Sequence, residues 1–80
     1  MMITLEKLVE MIRRKIGSRQ SAHGESWRLM SLNSLFYAAI YKLERARTGI
    51  MQGKRGRAQL DDLIDAAAYI YFLVNRLSKR

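Results

Sequence analysis

Cysteine and proline are both absent from this sequence, and histidine occurs only once, at His23. Without cysteine the chain has no disulfides and no thiolate metal ligands. This fits a reducing compartment, and we expect a cytoplasmic protein. A single histidine excludes a histidine-rich metal site. The lack of proline removes the residue that interrupts helices most strongly.

Long apolar runs are missing as well. No run reaches the roughly 18 residues of a membrane-spanning helix, so we expect no membrane partner. The opening segment MMITLEKLVEMIRRK places its acids before its bases, which is the reverse of a secretory signal peptide. Period-two alternation is not sustained anywhere, so nothing in the pattern indicates strands.

Positive charge is abundant. The chain has 15 lysines and arginines against 7 acidic residues, a net charge of +8, which favours anionic partners such as nucleotides, nucleic acid or acidic proteins. Hydrophobic residues make up 49% of the chain, as in globular proteins. Its 80 residues allow a single domain, 1–80. A chain of this size buries only about 60% of its unfolded surface, so a lone core is marginal.

The first segment with helical periodicity runs from about Thr4 to Ile16, where apolar residues recur at spacings of three and four. Thr4 is a suitable N-cap. Three bases at 13–15 fit the last turn, where the helix dipole favours cations. Gly17 then predicts the end of the helix, and the small polar residues of 17–26 predict a loop.

Two longer helices follow. The second begins near Ser31 or Asn33, both good N-caps, and runs to about Met51. A basic, glycine-containing turn at 52–57 separates it from the third helix, which spans about 58–77.

The fold class predicted from this pattern is all-α, a small antiparallel bundle of three main helices. The third helix is apolar nearly all round between 63 and 74, so it needs cover on more than one side. Two partner helices are insufficient for this. We therefore predict that a homo-oligomer, a dimer with a four-helix-like core, completes the bundle.

Three acids open the third helix. Asp61 and Asp65 are four residues apart, and Asp62 and Asp65 are three apart, so the carboxylates neighbour one another on one face and repel. Two resolutions stay open. Mg²⁺ or Mn²⁺ could bridge them, or bases of the second helix could pair with them. The helix dipole accounts for Asp61 and Asp62 without a metal, but less well for Asp65.

The second helix offers partners for those acids. Lys42 and Arg45 are three residues apart at the edge of its apolar stripe, and the arginine can hold a carboxylate or a phosphate with two hydrogen bonds. A solvated basic edge is the alternative. Tyr69, one turn after Asp65, could stack on a base or belong to the core.

A second basic group lies in the turn before the third helix. Lys54, Arg55 and Arg57, together with the bases at 13–15, motivate an alternative function as a nucleic-acid-binding module. No helix-turn-helix pattern accompanies them. A non-catalytic oligomeric interaction protein, with Asp65 as a core carboxylate, is the other alternative.

Three segments carry a resemblance to a known family. They are HGESWRLMSLNSL at 23–35, KLER at 42–45 and DDLIDAAAY at 61–69. Together they resemble the nucleotide-modification-associated family of small phage and bacterial proteins, which is similar to the all-α, MazG-like nucleoside-triphosphate pyrophosphohydrolases and dimeric dUTPases.

The resemblance implies an oligomeric helical bundle that binds a nucleotide, with a Mg²⁺ site on helix carboxylates and hydrolysis between the α and β phosphates. Asp62 and Asp65 match the second half of that group's acidic signature. The first half, a Glu-x-x-Glu pair on an earlier helix, is missing, since the second helix offers only Glu44. Whether the protein binds or also hydrolyses nucleoside triphosphates is therefore open at this point.

Overall fold

The computed structural model describes the backbone of residues 2–23 and 29–78 and the side chains of residues 2–18 and 29–78. It contains three helices, α1 (Leu5–His23), α2 (Leu32–Met51) and α3 (Arg57–Ser78), and no strand within those ranges. The all-α prediction is confirmed.

Helix α1 begins where the sequence predicts and ends later. The Thr4 hydroxyl accepts a hydrogen bond from the Lys7 amide, at 3.1 Å. Gly17 does not end the helix, which continues to His23, because a glycine inside a helix costs only about 1 kcal/mol relative to alanine. The loop predicted from residue 17 is therefore wrong as far as residue 23. The bases at 13–15 lie in the middle of α1, so the dipole does not explain them.

The predicted loop residues 24–26 lie outside the described residues. Helix α2 begins as predicted, with Ser31 as N-cap accepting from the Ser34 amide. After α2 the chain turns at Gly53, whose φ is 85°, and the Lys54 amide donates to the Gly49 carbonyl at 2.9 Å. Helix α3 follows within a few residues.

Helix α3 lies between the other two and packs more extensively on α2. The buried cluster Leu35, Phe72 and Leu73 joins α2 to α3, with Ile16 of α1 packed against it. Nearer the turn, helices α2 and α3 approach each other closely at Gly49. A Cβ on Gly49 would lie 2.7 Å from the side-chain nitrogen Nε2 of Gln59.

The contacts between α2 and α3 come in reverse order along the chain. Lys42 pairs with Asp65, and Arg45, one turn later in α2, pairs with Asp62, one turn earlier in α3. Near the other end, the Arg76 guanidinium donates to the Met30 carbonyl at 2.9 Å. These contacts bring the acids at the start of α3 against the basic segment of α2.

Candidate functional site

Two acids of α3 are buried in the contact with the other helices. Asp62 and Asp65, three residues apart, have side chains only 6% and 9% exposed. Carboxylates this deeply buried are costly unless cations or hydrogen bonds compensate them.

Helix α2 supplies two of those cations. The Lys42 ammonium lies between the acids, 3.1 Å from Asp65 Oδ2 and 3.9 Å from Asp62 Oδ1. Arg45 Nε donates a hydrogen bond to Asp62 Oδ2 at 3.2 Å. The sequence predicts both residues as partners of the acids, and the structure brings them together.

Helix α1 supplies a third cation, which the sequence analysis missed. Lys15 Nζ lies 3.4 Å from Asp65 Oδ1. In the sequence, Lys15 is marked only as part of the basic run at 13–15. That run does not by itself indicate that α1 packs beside Asp65. We call the five residues Lys15, Lys42, Arg45, Asp62 and Asp65 the ion-pair cluster.

The ion-pair cluster carries three positive and two negative charges. Its lysines are mostly covered, whereas the Arg45 side chain is 53% exposed and forms the open side. The Arg45 guanidinium also lies 5.8 Å from the centre of the Tyr41 ring. A hydrogen bond to Tyr41, and then the charge of Asp62, raise the pKa of Arg45, so this group keeps its charge at every ordinary pH.

A cleft of about 390 Å³ adjoins this open side, between α2 and the start of α3. We call it the turn cleft. Its charged and polar lining includes Tyr41, Glu44, Arg45, Lys54, Gln59 and Asp62. A cation of the cluster and a cation of the basic turn therefore face the same space.

The other predicted residues lie around this centre. Asp61 is exposed and lines a separate cleft with Arg14 and Lys15 of α1. Tyr69 packs against the core cluster, with its ring edge-on to Phe72 at 6.3 Å. The bases of the turn, Lys54, Arg55 and Arg57, are all exposed.

Two glutamates of α1 and α2 form ion pairs within their own helices. Glu44 pairs with Arg47 at 3.8 Å, and Glu10 pairs with Arg14 at 2.6 Å. Over the described part of the chain, no three His, Cys, Asp or Glu side chains form a group that could hold a metal ion. The same residues contain no helix with the length and hydropathy of a membrane span.

No family model, curated protein or solved structure matches the chain. The function is therefore inferred from this site.

Proposed function

We propose that the protein binds a nucleoside triphosphate through its phosphates, at the open side of the ion-pair cluster. The observation that carries the proposal is the half-exposed Arg45, which holds a buried carboxylate on one side and lines the turn cleft with Lys54 on the other. Phosphate oxygens accept strong charge-assisted hydrogen bonds from arginine, often two at once.

The charge of the ion-pair cluster supports an anionic ligand. Its three cations exceed its two carboxylates by one, and the exposed turn adds Lys54, Arg55 and Arg57. A polyphosphate that enters the turn cleft competes with Asp62 for the Arg45 guanidinium and forms an additional ion pair with Lys54. The Tyr41 ring, which lines the same cleft, offers a face for a base, whereas Tyr69 packs with the core.

Mg²⁺ fits this site only together with phosphate oxygens. Asp62 and Asp65 have the oxygen donors that Mg²⁺ prefers, and Mg²⁺ is commonly held by one or two carboxylates plus substrate phosphates. Without phosphate, three cationic groups within 4 Å of those oxygens oppose a further positive ion. When bound, Mg²⁺ would neutralise phosphate charge beside the two carboxylates.

Calorimetric titration with a panel of nucleoside triphosphates, with and without Mg²⁺, tests this proposal. We expect binding that Mg²⁺ strengthens, and little binding of Mg²⁺ alone. Arg45→Ala should weaken nucleotide binding at least tenfold. Arg13→Ala is the matched control, because Arg13 is an exposed arginine of α1 that does not line the turn cleft.

Absence of binding by every nucleotide, in either condition, would refute the proposal, as would equal losses in the two arginine variants. An assay for released pyrophosphate on the same samples decides between binding and hydrolysis.

We also propose the finer architecture, an antiparallel bundle that a homo-oligomer completes. The reverse order of the contacts between α2 and α3 supports the antiparallel arrangement. Many large apolar side chains of both helices are exposed, which supports oligomerisation because such residues normally gain cover.

A further inference from the structure

Helix α3 carries a continuous apolar stripe that the other described residues leave largely exposed. Its members are spaced three and four residues apart in alternation, and all but the half-buried Ala67 are exposed: Leu60, Leu63, Ala67, Ile70, Val74 and Leu77. Alternating spacings of three and four are the pattern of a seam that packs against another helix.

Helix α2 carries a second exposed seam with the same spacing. Phe36, Ile40, Leu43 and Ile50 are exposed apolar residues, and Arg47 occupies the one seam position that is charged. Buried positions such as Ala39 and Ala46 lie on the neighbouring face, which meets α3.

Both seams lie on the same side of the α2–α3 pair. Successive residues advance by about 100° around a helix axis. On each of the two helices, the seam therefore lies a quarter turn or somewhat more around the axis from the face that contacts the other helix. The direction of this rotation is the same on both helices. Since the two helices meet in reverse order, this rotation brings both seams to one side. Asp61 and Ile64, which line a cleft with α1, are rotated the opposite way.

We propose that a second copy of this chain covers this surface, which we call the α2–α3 face. The face exposes on the order of 800 Å² from the fractional exposures of its seam residues, about what each partner contributes to a standard interface. A copy related by a two-fold axis presents the same two seams, so each seam of one chain packs against a helix of the other chain. Helix α1 then stays on the outside. This proposal rests on the homo-oligomer proposed above and is independent of nucleotide binding.

One matched pair of variants tests the position of the interface. Val74→Lys places a charge on the α2–α3 face, where Val74 is 57% exposed. Val9→Lys makes the same change in α1, where Val9 is 42% exposed. Val9 lines the apolar groove between α1 and α3 together with Ala67 and Ile70 at the edge of the α3 seam, so this variant tests whether the interface extends to α1. Sedimentation equilibrium gives the mass of each, and circular dichroism reports their helix content.

We expect the unmodified chain to be a dimer at micromolar concentration, with a Tm that rises with concentration. Val74→Lys should weaken dimerisation at least a hundredfold, and Val9→Lys by less than threefold. If Val74→Lys unfolds, Ile40→Lys on the α2 seam provides a second variant with the same expectation. A monomeric unmodified chain would overturn the proposal, and so would a larger effect of Val9→Lys than of the seam variants.

Discussion

At the scale of single residues, Asp65 illustrates what a buried carboxylate needs. Its oxygens lie within ion-pair distance of Lys15 and Lys42, which come from different helices. The desolvation cost of such a group is offset only while its cations remain in place. Asp65 therefore ties the relative positions of three helices to one charge.

Replacing Asp65 by alanine should destabilise the fold by about 2–4 kcal/mol, because breaking a buried pair leaves cations without their counter-charge. The measurement is the free energy of unfolding in urea. Asp61→Ala is the control, since Asp61 is exposed and surface changes are usually within about 0.5 kcal/mol. Equal losses in the two variants would contradict the role assigned to Asp65.

The sequence predicts part of the ion-pair cluster. Helical spacing places Asp62 and Asp65 on one face, and Lys42 and Arg45 on one edge, because these relations are local. That Lys15 joins them could not be predicted, since it depends on how α1 lies against α3 over some 50 residues of chain. Local spacing also could not decide between a metal and basic side chains as partners of the acids.

At the scale of helices, glycines show how the same residue acts in two settings. Gly17 lies inside α1, where an added Cβ would meet open space, so Gly17→Ala should stabilise the protein by about 0.5–1 kcal/mol. Gly53 has φ of 85°, a conformation that costs other residues about 1 kcal/mol or more, so Gly53→Ala should destabilise it. Thermal unfolding of both variants measures the difference. A destabilising Gly17→Ala would argue against a continuous α1.

The N-cap of α2 provides another test. Ser31→Ala removes the acceptor of the Ser34 amide hydrogen bond and should cost about 1 kcal/mol in urea unfolding. Ser31→Asp should retain most of the stability, because aspartate caps as well as serine does. A loss in Ser31→Asp as large as in the alanine variant would exclude capping as the reason.

Helix positions follow from the sequence as far as local signals decide them. Ser31 and the turn at 52–57 mark the boundaries of α2 and α3 because caps and tight turns are local chemistry. The end of α1 was predicted wrongly, because a lone glycine is a weak stop signal and its cost of about 1 kcal/mol is easily outweighed by flanking turns of helix.

At the scale of the whole molecule, a net charge of +8 acts on every anion that approaches. We expect nucleotide binding to weaken as salt rises, since exposed charges such as Arg45 and Lys54 are screened over about 8 Å at physiological ionic strength. Titrations from 50 to 500 mM sodium chloride measure the slope. An affinity that does not change over this range would argue against phosphate recognition by these cations.

The contact between Lys15 and Asp65 has one more consequence. Helix α1 touches the rest of the protein less extensively than α2 does, and this ion pair is one of its attachments. Loss of the Lys15 ammonium group would loosen the docking of the first helix, so its backbone amides would exchange with solvent faster while those of the other two helices stayed protected. The anchoring of the amino-terminal helix thereby depends in part on a single positive charge.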